Sequence, residues 1–198
     1  MIDLLNYDLI GISGPIGSGK DTIASLIVVN SDNQYQTVSF AEPLREAAKV
    51  MFGWTDFEVT DRVAKETVDP FWGFSPRTAL QYLGTEYGRK LLRDDVWIRA
   101  AQRKMEAGAR HGKRTVIQDV RFPNEDEWVR SCGERSLRIF VTSNEDPPVK
   151  TTHVSEQGLS PRDGRDVIFY NDKSLGLTGL VNAFNKLFSF NPHYVYNK

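Results

Sequence analysis

Leu9-Ile10-Gly11-Ile12-Ser13-Gly14-Pro15-Ile16-Gly17-Ser18-Gly19-Lys20-Asp21-Thr22 runs from a short apolar stretch straight into a glycine-rich turn. Residues 22–29 then carry apolar side chains at helical spacing, so the segment reads as strand, loop, helix. Within it, Gly14, Gly19 and Lys20 supply the Gly-x-x-x-x-Gly-Lys core of a phosphate-binding P-loop, in the context that motif requires. Glycines let backbone N–H groups turn inward on an anion without interference from Cβ, and the helix N-terminus adds unpaired donors and partial positive charge. Gly14, Gly17, Ser18, Gly19, Lys20, Asp21 and Thr22 are therefore the expected triphosphate contacts, with Lys20 bridging the β- and γ-phosphates. The alternative, a glycine turn with a surface lysine, accounts less well for a motif that has both the spacing and the flanks.

The residue after the lysine is usually Ser or Thr, whose hydroxyl ligates magnesium; here it is Asp21. Either Asp21 reaches Mg²⁺, directly or through water, while Thr22 contacts a phosphate, or its carboxylate favours the first helical turn electrostatically. Asp119 is a second candidate metal-associated carboxylate, because it follows the apolar stretch Thr115-Val116-Ile117-Gln118. Its competing reading is an Asp that ends a strand and caps the turn before Pro123. Arg121 stands two residues on, where strand-end residues face the ligand crevice of an open α/β sheet.

Further along, strands are expected at residues 38–40 with the β-rich stretch before them, and at 115–117, 137–141 and 167–170, and helices at 44–52, from Ser75-Pro76, from Asp95, at 125–132 and at 176–188. Strands alternating with helices predict an α/β fold: a P-loop NTPase-type parallel sheet flanked by helices, with a substrate-binding helical region and a lid. Residues 54–76 show no clear periodicity and read as a connecting excursion rather than core. With 198 residues, 40% of them hydrophobic, the chain reads as one domain, with residues 43–110 as the helical region and 151–166 as the lid.

Lysine and arginine number 25 against 26 acidic residues, so no global basic field favours polymeric nucleic acid. The one cysteine, Cys132, excludes an internal disulfide. No secretory signal pattern or spanning apolar run is present, so a cytoplasmic setting without membrane contact is expected.

The acceptor side is read from Arg77, Gln81 and Thr85, which stand at steps of four on one expected helical face. That set can hold a phosphate and read a base edge or sugar; a solvated face explains arginine and glutamine equally well. Residues 152–166 are polar, glycine-containing and arginine-bearing, and Arg162 or Arg165 would suit the neutralisation of transition-state charge. An ordinary hydrophilic loop is the plain alternative. His153 reads as structural.

Four blocks resemble the deoxynucleoside monophosphate kinases of tailed bacteriophages. They are Ser18-Gly19-Lys20-Asp21-Thr22; Leu80-Gln81-Tyr82-Leu83-Gly84-Thr85 with Trp97 beyond it; Asp119-Val120-Arg121; and the stretch from Thr152-His153 through Arg162-Asp163-Gly164 to Asn171-Asp172. The resemblance implies transfer of the γ-phosphoryl group of ATP to a dNMP with Mg²⁺. Taken with the reading of the residues, the candidate catalytic groups are Lys20, Arg121 and Arg162, with Arg162 also on ATP, and the candidate metal carboxylates are Asp21 and Asp119, directly or through water. Leu44, Arg45, Lys65, Arg77, Gln81, Gly84, Thr85, Trp97, Asp119 and Arg121 fall on the monophosphate side, with Arg62 a further candidate. The implied partners are small-molecule nucleotides, and a homodimer is left open. Animal phosphomevalonate kinases are similar in their Ser-Gly-Lys-Asp loop, but the Gln-x-x-Gly-Thr block favours the nucleotide kinase. The alternative readings are a kinase of another small phosphorylated acceptor, an acceptor-independent P-loop ATPase, and a nucleotide-binding regulator without turnover.

Overall fold

The computed structural model describes residues 1–145, 159–162 and 164–190. In chain order the strands are β1 (Ile2–Asp3), β2 (Leu9–Ser13), β3 (Tyr35–Val38), β4 (Arg114–Ile117), β5 (Ser136–Ser143), β6 (Val167–Asn171) and β7 (Phe188–Ser189). The helices are α1 (Lys20–Asn30), α2 (Glu42–Phe52), α3 (Asp56–Thr60), α4 (Pro76–Gln81), α5 (Val96–Ala109), α6 (Pro123–Ser131) and α7 (Gly176–Leu187), with a π-helix over Tyr82–Leu92 between α4 and α5. The chain divides into two compact units, Met1–Val38 with Lys104–Lys198, and Ser39–Arg103.

In the first unit, a five-stranded sheet has the order β3-β4-β2-β5-β6, and every pairing in it is parallel. All five residues of β2 are buried, as expected for a central strand covered on both faces. Ile10 and Ile12 of β2 pack with Ile23 and Ile27 of α1, Val116 of β4, Ile139 and Val141 of β5, Phe169 of β6 and Phe184 of α7. This core fixes the carboxyl end of β2, from which the glycine-rich loop leaves. A two-residue parallel pair, β1 with β7, was not expected, since two residues are too few to show a period. β3 takes the β-rich stretch before residue 38 and stops at Val38, opposite Ile117, two residues short of the expected end at Phe40.

The second unit is helical. Its core contains Ala48, Trp54, Val59 and Ala79, with Phe52, Phe74, Leu80 and Leu83 packed against them. Residues 54–76 are therefore not a mere excursion: Trp54 and Val59 are core, and α3 starts at a capping box in which Thr55 and Glu58 satisfy each other's backbone N–H groups. Aromatic packing substitutes for periodicity, with Phe52 4.6 Å from Trp54 and 5.5 Å from Phe74 between ring centroids. Among the described residues, no helix is long and apolar enough to cross a membrane.

Candidate active site

The loop between β2 and α1 is built so that glycine is required at its two ends. A Cβ on Gly14, whose φ is 140°, would lie 2.0 Å from the carbonyl oxygen of Val141 on β5. One on Gly19, at φ 105°, would lie 2.9 Å from the Asn171 side-chain nitrogen. Both backbone conformations are costly for any other residue. Gly19 is the N-cap of α1 and supplies no side-chain cap, so the first-turn N–H groups of α1 are left for another acceptor. Ser18 is fully buried, and its Oγ has no hydrogen-bond partner among the described residues. A phosphate oxygen is the kind of group such a cradle lacks. The Lys20 ammonium curls over the loop and donates to the carbonyls of Gly14 at 2.8 Å and Pro15 at 2.5 Å.

Asp21 is exposed in the first turn of α1, with Thr22 half-buried beside it. Asp119 is buried just beyond β4, and the next residue, Val120, donates its N–H to the Ile12 carbonyl at 3.1 Å, which carries the β4 side alongside β2. Asp21, Thr22 and Asp119 offer hard oxygen ligands of the kind magnesium takes. Among the described residues no three His, Cys, Asp or Glu side chains form a metal-holding group, so a cation here would draw its remaining ligands from phosphate and water. Arg121 is exposed, and its own N–H, with that of Phe122, donates to the buried Glu125 carboxylate at 2.8 and 3.1 Å. Glu125, which the sequence pattern did not single out, thus fixes the turn that presents Asp119 and Arg121.

A buried ion network lies behind the loop. Asp126 of α6 receives Arg130 Nε at 2.8 Å, Arg138 Nε at 2.6 Å and Arg162 Nη2 at 3.2 Å. Arg130 also reaches Asp166 at 2.6 Å, and Arg138 donates to Ser13 Oγ at 2.9 Å, one residue ahead of Gly14. Burial pushes the Asp126 carboxyl up, but Arg130 and Arg138 outweigh it and hold the group below the usual carboxylate range. Arg162, expected on ATP, is seen here paired with Glu127 as well as Asp126. Arg165 is exposed. Of the expected lid, residues 151–158, including His153, and Asp163 lie outside the described residues.

In the second unit, the structure brings Leu44, Gly84 and Trp97 together. A Cβ on Gly84 would lie 3.2 Å from Leu44 Cδ1, and Trp97 Nε1 donates to the Gly84 carbonyl at 2.8 Å. Arg77, Gln81 and Thr85 do not share one α-helical face. α4 ends at Gln81 and the chain continues as the π-helix, whose i→i+5 bonding, visible in the 3.0 Å bond from Arg93 N–H to the Gly88 carbonyl, breaks the step of four. Arg77 is ion-paired to Glu66, and Arg45 Nη2 donates to Ser39 Oγ at 3.2 Å. Lys65 sits in the short 3-10 turn Ala64–Glu66, next to the exposed Arg62. Buried Arg89, whose Nη1 donates to the Asp94 carbonyl at 3.0 Å, was not singled out from the sequence.

A family model described as deoxynucleotide monophosphate kinase matches residues 54–179. The chain belongs to that family. Its relatives include an Acanthamoeba polyphaga mimivirus protein assigned as a deoxynucleotide monophosphate kinase, 31% identical, with 84% of this chain and 90% of that one covered. The deoxynucleoside-5′-monophosphate kinase of Escherichia phage T5 is 29% identical over 76% of this chain and 84% of its own length. Among solved structures, one from Chloroflexus aurantiacus assigned as a kinase aligns at 12% identity and a TM-score of 0.49, covering 92% of this chain and 94% of that one. This member of the deoxynucleotide monophosphate kinase family is accordingly an enzyme, a phosphotransferase acting on deoxynucleoside monophosphates.

Proposed function

We propose that ATP with Mg²⁺ is the phosphoryl donor, seated on the Gly14–Lys20 loop, and that the reaction yields a dNDP and ADP. The observation that carries the donor assignment is the cradle itself: glycine-only backbone at both ends, an uncapped helix N-terminus, a buried Ser18 hydroxyl lacking a partner, and Lys20 across the opening. Asp21 and Asp119 would hold the metal, which when bound neutralises charge on the phosphates. Lys20 binds and orients the triphosphate tail, and Arg121 and Arg162 are the arginines proposed to spread charge over the transferred group. Arg162 must exchange Glu127 and Asp126 for phosphate to do so.

On the acceptor side, Leu44, Arg45, Lys65, Arg77, Gln81, Gly84, Thr85 and Trp97 are the proposed monophosphate-binding positions, and Asp119 and Arg121 are proposed with them. The close packing of Leu44, Gly84 and the half-buried Trp97 supports a shaped, rigid platform there. An acceptor monophosphate already presents an oxyanion at neutral pH, since its second pKa is about 6, so no strong general base is needed. That oxygen forms the bond to the γ-phosphorus as the bond to the β,γ-bridging oxygen breaks, and ADP leaves with that electron pair. The proposed setting is the cytoplasm.

The test is ADP formation from ATP and Mg²⁺ against a panel of dNMPs, ribonucleoside monophosphates, phosphomevalonate and a no-acceptor control, with product identification. Stimulation by dNMPs with dNDP as product supports the reading. Acceptor-independent hydrolysis, or a rate with phosphomevalonate alone, overturns it.

A further inference from the structure

Asn171 ends β6, opposite Ser143 of β5, and is 5% exposed. Its side-chain Nδ2 donates to the carbonyl of Ser18 at 2.9 Å. A carbonyl can only accept, so the amide nitrogen is the group that must face it. The same nitrogen occupies the space a Gly19 Cβ would need, at 2.9 Å, and Leu180 Cδ1 of α7 closes the other side at 3.2 Å. The backbone that carries Asn171 is itself braced. Asp172 accepts from Ser174 N–H at 3.1 Å and from Asn144 Nδ2 at 2.9 Å, and Asn144 in turn accepts from Lys173 N–H at 3.0 Å.

The Ser18–Gly19 peptide is planar and trans, so its C=O and N–H point in opposite directions. Holding the carbonyl down on Asn171 aims the Gly19 N–H away from Asn171, off the loop's packed side. We propose that Asn171 is a positioning residue for phosphoryl transfer: its amide sets the Ser18–Gly19 peptide so that the Gly19 N–H faces the phosphates of the bound triphosphate. Asn171 touches no reacting atom and acts only through the loop. Its effect is therefore confined to the donor and is felt by the polyphosphate tail rather than by the nucleoside.

This inference rests on ATP occupying the loop, and the experiment separates the two. ATP and inorganic tripolyphosphate are titrated into the wild-type chain, Asn171→Ala and Asn171→Asp, and steady-state constants are measured for ATP and for a dNMP. Alanine removes the donor, and Asp, of the same shape, sets a carboxylate against a carbonyl and beneath an anion site. The expected result is a KM for ATP raised about tenfold in N171A and more in N171D, equal proportional losses in tripolyphosphate affinity, and a dNMP KM within about twofold of wild type. No binding of ATP to the wild-type chain would overturn the donor assignment. Wild-type binding with unchanged affinity in both variants, equal rises in the ATP and dNMP constants, or failure of both variants to fold would overturn the role of Asn171 alone.

Discussion

Replacing Asp126 by Asn tests whether the buried network behind the P-loop behaves as a charge-compensated unit. Asp126 holds three arginines, but they do not depend on it equally. Arg130 keeps Asp166, and Arg162 keeps Glu127. Arg138 is 4% exposed and, among the described residues, is ion-paired only to Asp126. Burial already pushes the Arg138 guanidinium below its usual value, with Asp126 opposing that shift. Breaking a buried pair by removing one partner costs about 3–5 kcal/mol, and Asn, which retains one acceptor oxygen, should fall near the lower end. For a chain of this size, about 3 kcal/mol corresponds to a melting temperature lower by about 6–12 °C. Arg138→Met should cost a similar amount, while the double variant should cost less than the sum by at least about 1 kcal/mol, since it leaves no charge stranded. Calorimetry or circular dichroism of the four proteins reads the cycle. The pH dependence has a definite sign. The folded Asp126 pKa is depressed from its ordinary 3.8, so its contribution is fully present above about pH 4 and is lost as pH falls through the lower, folded value. The gap between wild type and D126N should thus be constant from pH 8 to 5, on the order of the figure above, and narrow below about pH 4. Additive single effects, or a D126N transition within about 2 °C of wild type, would refute the reasoning.

Lys20→Ala should lower kcat at least about 100-fold while moving the melting temperature by no more than about 2 °C, because the ammonium donates to the Gly14 and Pro15 carbonyls within its own loop; a joint loss of fold would count against a catalytic role. Gly14→Ala sets a Cβ 2.0 Å from the Val141 carbonyl oxygen, a backbone atom that cannot turn aside, so ATP affinity measured by titration should fall at least about tenfold. Gly88→Ala should destabilise the chain by about 1–3 kcal/mol although alanine is the better helix former, because its Cβ would lie 2.4 Å from Trp97 Cζ2. Trp97 fluorescence reports the repacking, and a stabilised G88A variant would count against it.

The strand, glycine-rich loop and helix at the start of the sheet were legible because their constraint is local: glycine spacing, a preceding apolar strand and a following helix all fall within one short stretch. The alternation of strands and helices likewise pointed to a parallel sheet. What escaped depends on partners remote in sequence. The i, i+4 pair Asp126 and Arg130 could be seen on α6, but not that Arg138 and Asp166 complete it from β5 and from just before β6. An arginine inside the apolar run Leu137-Arg138-Ile139-Phe140-Val141 was the available sign, since such a charge needs a buried partner. The π-helix defeated a reading based on a fixed helical period. Gly84 and Gly88 were its trace, for they leave room for Leu44 and Trp97 where side chains would clash.

Arg138 also bears on why the loop sits where it does. Parallel strands buried on both faces are nearly uniform in apolarity, so hydrophobicity alone specifies their register weakly. Between β2 and β5, Gly11 pairs with Arg138 and Ser13 with Phe140. The guanidinium fits over Gly11, where a Cβ would come within 2.9 Å of Nη1, and then reaches Ser13 Oγ. A shift of one residue would turn Arg138 to the other face of the sheet, and a shift of two would set it opposite Leu9 or Ser13, without the gap that Gly11 provides. The same register places Gly14 against the Val141 carbonyl. A buried charge that contributes little net stability can therefore contribute specificity: it fixes β5 against β2, β5 aligns β6 through the Ser143–Asn171 pairing, and the two strands together hold both ends of the glycine-rich loop.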